Sequence, residues 1–259
     1  MKMRRRTQKV RRFVLGVLLV SAAQLGQAAC PAVPDSPETG IRRVIDGDTL
    51  VLRDGRHVRV LGINAMELGH DGGQDQPYAE AARERLQQLI AAHGGTLRMS
   101  MGSVAYDEHG RTLAYLFVGR HDLGLELVRE GLAVVVAVPP DLAHLPCYQE
   151  AEAEARNHHL GIWSQASPLV TDVAHAQHKA GAFLIVRAAV TGVVRSPAGL
   201  KLMLDGRLPV WISASDLARF TTDPAELKGR SVLVRGWLRE YHGQDELDVH
   251  APAALLVED

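Results

Sequence analysis

The sequence predicts a mainly β protein with α-helices, in which a small five-stranded β-barrel carrying three helices is followed by a second small barrel. Three observations lead there. Residues 41 to 64 and 96 to 118 are strand-like, three other stretches space their apolar residues as helices do, and beyond residue 181 the pattern turns almost wholly β. The unit boundaries read as residues 1–28 for a leader, 29–164 for the first unit, 165–180 for a linker and 181–259 for the second unit.

The first strands surround Arg53-Asp54-Gly55-Arg56, where alternating apolar residues on both sides and a central Asp-Gly describe a β-hairpin. Pro77 to Ala92 has helical spacing with a proline at its first turn, Leu123 to Glu130 gives a second helix, and Pro146 to His158 gives a third with Ala-Glu repeats. Ser167 to Gly181 mixes Pro, Ala and scattered His and reads as the linker; its His175 and His178 could share a metal, but a solvated linker is the preferred reading.

In the second unit five strands are expected, at Phe183 to Val194, Leu200 to Leu204, Pro209 to Ile212, Ser231 to Leu238 and Leu247 to Val249, with a short helix near Ser215 to Phe220. That order resembles an OB-fold, and Gly229 to Gly236 looks like one of its central strands. OB barrels often bind single strands on aromatic platforms. Trp211, Trp237 and Tyr241 are candidates, but the segment holds nine basic and ten acidic residues, and core packing is the preferred reading for these rings.

The leader is basic, then apolar, then small. Met1 to Arg12 holds seven basic residues and no acid, Phe13 to Ala23 is apolar, and Gly26-Gln27-Ala28-Ala29 is a small-residue stretch. This is the layout of a secretory signal peptide, and the apolar run is too short to span a bilayer, so the mature chain is expected to be periplasmic or secreted. A lipid-modified Cys30 is the competing reading, and Arg11-Arg12 is a weak twin-arginine signal. Two cysteines in an exported chain suggest one disulfide, Cys30 to Cys147, against the alternative of two free thiols. Such a bridge closes a loop of more than a hundred residues, worth about 4 to 5 kcal/mol in the chain-entropy model.

Without the leader the chain has 22 Lys plus Arg against 30 Asp plus Glu, a formal charge of −8. Residues 29 to 164 contain twelve Arg, no Lys and nineteen acids. That balance is unusual for a tight, non-specific polyanion binder, because such affinity comes mostly from phosphates neutralised by basic residues. A weakly held, metal-bridged substrate suits the balance better.

The chemistry-bearing residues concentrate in the hairpin and the loop after it: Asp46 and Asp48, then Arg59, Asn64 and Glu67. Acidic oxygens at that density suit a hard cation, and an arginine beside them suits a phosphoryl group, so together they point to phosphodiester hydrolysis. Asp46-Gly47-Asp48-Thr49, Arg59 and the acidic loop are followed by Asp107-Glu108-His109-Gly110-Arg111-Thr112-Leu113-Ala114-Tyr115, by Leu127-Val128-Arg129-Glu130-Gly131-Leu132-Ala133, and by Ala151-Glu152-Ala153 to Gly161-Ile162-Trp163-Ser164. In that order these blocks resemble the staphylococcal nuclease (thermonuclease) family, over about residues 40 to 164.

The resemblance implies a calcium-dependent nuclease acting on DNA or RNA. It implies Asp48, Asn64 and the backbone carbonyl of Ala65 as metal ligands, with Asp46 acting through water, and calcium (Ca2+) as the cation. It implies Glu67 as the group that orients or deprotonates the attacking water, and Arg59 and Arg111 as the groups that hold the phosphoryl oxygens. Nucleic acid, single-stranded or short, is the expected partner. Some positions depart from the family: Asn64 stands for the usual Asp, Met66 for the usual Pro, and His109, Ala137 and Pro139 for tyrosines that contact nucleotide. Two alternatives follow, a nuclease-fold protein that binds nucleic acid or a protein partner without cutting, and a phosphodiesterase for small nucleotides.

Overall fold

A computed structural model describes residues 30–69, 73–164, 167, 169–175 and 181–258. The leader, His178 and half of the linker lie outside these residues.

The first half runs β1 (Thr39–Val44), β2 (Thr49–Leu52), β3 (His57–Val60), β4 (Ile63–Ala65), α1 (Ala79–Ala91), β5 (Thr96–Tyr106), β6 (Thr112–Val118), β7 (His121–Asp122), α2 (Leu123–Arg129), β8 (Ala133–Val135) and α3 (Leu145–Asn157). Strands β1, β2, β3, β6 and β5 pair in that order and β5 pairs back to β1, so five strands close into a barrel with β3 and β6 parallel. Closure leaves no unpaired edge between them. The expected Asp54-Gly55 turn is there: Gly55 takes φ 92°, and Leu52 N donates to Arg56 O at 2.9 Å. Three helices cover this barrel, as the spacing predicts. Pro77 does not open α1, however; the helix starts two residues later, after Tyr78 in a left-handed conformation.

The second half runs β9 (Val170–Asp172), β10 (Phe183–Ser196), β11 (Gly199–Leu204), β12 (Leu208–Ser213), α4 (Ala214–Leu217), β13 (Ser231–Tyr241), β14 (Gln244–Asp248) and β15 (Leu255–Glu258). Pairings run β10, β11, β12, β14, β13 and back to β10, with β12 and β14 parallel. Two strands were not foreseen. β15 adds to β13 beyond the expected five, and β9 lies inside the segment read as a linker, pairing parallel with Ile185 to Arg187 of β10. Its three residues are too few to show alternation, which is why its sequence reads as irregular.

Each half has its own apolar core, and a third cluster joins them. Met66, Val134, Ala155, Ile162 and Trp163 of the first half pack with Ile185 and Leu233 of the second. Beside it lies an ion pair that both halves bury: Glu152 of α3 is 2% exposed and Arg235 of β13 is 3% exposed. Both Arg235 Nη atoms meet the carboxylate, Nη2 at 2.6 Å, and Glu152 Oε1 also accepts the Val135 N–H at 2.8 Å.

The expected disulfide joins Cys30 to Cys147 across a separation of 117 residues, with Cα atoms 5.3 Å apart. It ties the start of the described chain to α3. Next to it, buried Asp122 caps α2 through Leu125 N at 3.1 Å and accepts from His144 Nδ1 and the Tyr148 hydroxyl at 2.7 Å each.

Arg235→Leu would leave Glu152 charged and buried with one backbone donor. The expected loss is about 3 to 5 kcal/mol, read by urea unfolding. The double variant Arg235→Leu with Glu152→Leu should lose less than Arg235→Leu alone, because no charge then stays stranded.

Candidate active site

The centre of the site is the turn between β1 and β2. Asp46 is 6% exposed and Asp48 1%. Asp46 Oδ1 accepts the Asp48 N–H at 2.9 Å, so the first carboxylate folds the turn that aims the second. Gly47 between them is obligatory: a Cβ there would lie 2.6 Å from the Cβ atoms of both Ala65 and Ala82. Strand β4 and helix α1 therefore press directly on this turn.

Asp48 gathers the rest. Its Oδ1 accepts the Thr49 hydroxyl at 3.0 Å, its Oδ2 accepts the Ala65 N–H at 2.6 Å, and its Oδ2 is ion-paired with Arg59 Nη1. Arg59 Nη2 donates to Asn64 Oδ1 at 2.9 Å. The two side chains expected as direct ligands, Asp48 and Asn64, thus share one guanidinium. Arg59 Nη1 is buried, and the Asp48 carboxylate is its partner among the described residues.

Asn64 and Ala65 are held by β4, which pairs with β8 as Asn64 opposite Val134 and Ala65 opposite Ala133. Glu67 is exposed, and its backbone is fixed from both sides: its N–H donates to Gln76 Oε1 at 2.8 Å and its C=O accepts the Gln76 N–H at 2.9 Å. Met66, in place of the usual proline, is buried and does not leave this loop unanchored.

Arg111 comes from a different part of the chain. β3 and β6 are parallel with Arg59 opposite Leu113, so Arg111, two residues earlier, falls on the same face as Arg59. Asp107 holds it, accepting the Arg111 N–H at 2.8 Å and Nε at 2.7 Å, which leaves the Nη edge to point elsewhere. The structure therefore brings Asp46, Asp48, Arg59, Asn64 and Ala65 into one contact network and sets Arg111 immediately before the adjoining strand β6. Thr49, Gln76 and Asp107 support these groups and were not singled out from sequence. Asp107 could have been: an acid four residues before an arginine across a His-Gly turn is a short-range pairing signal.

Burial is the first cause that pushes the Asp46 carboxyl up, to about 7, and the nearby charges of Asp48 and Glu67 add to it. Two buried carboxylates and one exposed one thus stand close enough to repel, with Arg59 as the cation among them. Oxygen donors short of positive charge fit a hard divalent cation. Asp48, Asn64 Oδ1, the Ala65 carbonyl and Asp46 are the atoms able to hold it.

The sequence comparisons point to one family. A family model described as "Staphylococcal nuclease homologue" matches residues 57–165. The thermonuclease of Staphylococcus intermedius is 31% identical over 128 residues, covering 48% of this chain and 75% of that protein. This chain belongs to the staphylococcal nuclease family. Endonuclease YncB of Bacillus subtilis is 34% identical over 128 residues, covering 48% of this chain and 60% of YncB. The probable endonuclease LCL3 of Phaeosphaeria nodorum is 31% identical over 134 residues, covering 49% of this chain and 44% of its own. The family match ends at residue 165, so the second half lies outside it. Of the positions read as departing from the family, Asn64 and Met66 are buried, Ala137 and Pro139 are half-buried and His109 is exposed.

The raised Asp46 pKa sets the pH dependence of the cation-free protein. Because the folded value, about 7, lies above the usual 3.8, the folded state holds this proton more tightly than the unfolded state. The stability so gained is full below about pH 4 and is lost as the pH rises through 7. Thermal unfolding in chelator should show this decline, Asp46→Asn should flatten it, and saturating divalent cation should abolish it.

Proposed function

We propose that this chain is an exported, calcium-dependent nuclease that hydrolyses phosphodiester bonds in DNA or RNA. The observation that carries the reading is the shared guanidinium of Arg59, set between Asp48 and Asn64 in a buried pocket of oxygen donors. The names of the relatives, thermonuclease and endonuclease, support it. A cation bound here would polarise the phosphoryl group and draw charge off it.

The chain's own groups do the remainder. Glu67, on its two-sided backbone clamp, orients the attacking water and takes its proton. Arg59 of β3 and Arg111, just before β6, receive the phosphoryl oxygens as negative charge builds, a contact that is stronger in the transition state than before it. Asp107 keeps Arg111 from folding away. The leader read at residues 1–28 and the Cys30–Cys147 bridge support export to the periplasm or beyond. Among the described residues no helix is long and apolar enough to cross a membrane.

The second half reads as an OB-like barrel. Its strand order and its parallel third-to-fifth pairing match those of the first half, with the short α4 placed where α1 stands.

Purified chain should cut single-stranded DNA or RNA in calcium and fall silent in chelator. Cutting in excess chelator would sink the metal assignment, and no cutting with any divalent ion would favour a binding protein. Arg111→Ala should lower turnover by about two orders of magnitude or more while calorimetric calcium affinity stays close to wild type. Asn64→Asp should do the reverse, tightening calcium with little change in turnover at saturation, since a full charge replaces a dipole at contact distance. Equal calcium affinity for Asn64→Asp and wild type would remove Asn64 from the ligand set.

A further inference from the structure

The outer face of the second half carries rings that a core would not leave out. Tyr241 is 50% exposed and Trp237 36%, and Trp211 is half-buried. Core packing, the reading preferred from the sequence, does not hold for Tyr241; Trp237 packs edge-on against Phe183 at 5.0 Å on one side and is open on the other, and Trp211 is partly covered. Strand register explains why. Leu202, Val210, Ile212, Leu238 and Leu247 fill the inner core, so their alternating neighbours Lys201, Trp211, Trp237, Arg239 and Tyr241 face outward.

These outward residues form one surface. Lys201 stands opposite Trp211, and Arg239 stands opposite Glu246. Lys201 Nζ and Arg239 Nη2 each reach the Glu246 carboxylate at 2.7 Å, and Arg239 Nε reaches Asp248 at 3.0 Å. The same two cations flank the Tyr241 ring, with Lys201 Nζ 6.0 Å and Arg239 Cζ 5.4 Å from its centroid. Two bases and two acids leave this patch near neutrality. It offers flat ring faces and fixed cations with little net field.

The position of the patch matters as much. Leu233 and Arg235, on the same outward face of β13, are covered by the staphylococcal nuclease half. Trp237 is the next outward residue, so the aromatic surface starts where the contact between the halves ends.

We propose that Trp211, Trp237 and Tyr241 form a stacking platform for the bases of a single-stranded nucleic acid. The proposal rests on the nuclease reading above. With twelve Arg, no Lys and nineteen acids in residues 29 to 164, phosphate contacts alone would give a weak grip, and a surface that does not depend on charge would add to it. Base faces supply that contact to any sequence, and a duplex hides them. The platform therefore selects single strands and gives length to a substrate grip that the cleavage site lacks.

The test is binding of a labelled single-stranded oligonucleotide to the full chain in chelator, with kcat/KM for a dinucleotide measured separately in calcium. Trp211→Ala and Tyr241→Ala should each weaken oligonucleotide binding about tenfold. Trp211→Phe and Tyr241→Phe, which keep a ring, should stay within about threefold of wild type. Dinucleotide cleavage should be unchanged in all four, and log affinity should fall only gently with log salt because few phosphates are engaged. Wild-type affinity in both Ala variants, or equal loss in the Phe and Ala variants, would overturn the platform. So would binding of an oligosaccharide or a peptide at this surface with none of a single strand. Failure of the nuclease reading would show differently, as absent dinucleotide cleavage in wild type.

Discussion

The carboxylate of Glu152 is the point on which both halves bear. One oxygen accepts the Val135 N–H, and both meet Arg235 from the second half. Val135 belongs to β8, whose partner strand β4 carries Asn64 and Ala65. A side chain from beyond the family match therefore helps to fix the strand that presents two candidate ligands. Burying a charge pair is costly unless its remaining lone pairs are satisfied, and the Val135 N–H satisfies one of them. The second half is for this reason part of the framework of the site, whatever else it does.

The local parts of this site were legible in the sequence. Asp46-Gly47-Asp48, the Asp54-Gly55 turn and the helix at α3 depend on residues a few positions apart, and short-range rules reach that far. The relation of Arg59 to Asn64 was not legible in the same way. The four residues between them span the end of β3 and the start of β4, and nothing in the spacing says that the guanidinium turns back onto the amide. The Gln76 clamp on Glu67 and the third apolar cluster are longer still in reach. Ile162 and Trp163 read as the end of a motif, and their contact with Ile185 and Leu233 exists only once both halves have folded.

The aromatic residues show a different limit. A tryptophan in a strand of a small barrel is usually inside, and composition gave no reason to decide otherwise. Register decides it. A shift of one residue in β13 would turn Trp237, Arg239 and Tyr241 inward and expose Leu238, so their exposure follows from the pairing of Leu238 with Leu247. Gly199 contributes on β11, since a Cβ there would lie 2.9 Å from the Trp211 ring.

The two halves use one strand order to opposite ends. In the first, the turn between its first two strands is Asp46-Gly47-Asp48, closed from behind by Ala65 and Ala82 and lined by Arg59. In the second, the turn between β10 and β11 is Ser196-Pro197-Ala198, which has no carboxylate to hold a cation and no acid to activate water. That turn does not repeat the oxygen donors of the first half. What the second half retains is its outer sheet face, one part pressed against the first half and the rest open with its rings exposed. Because both parts lie on the single strand β13, the brace at Arg235 also fixes where Trp237 and Tyr241 stand relative to the cleavage site. A loose linker could not do that, and the pairing of β9 with β10 removes part of the slack that a linker would have allowed.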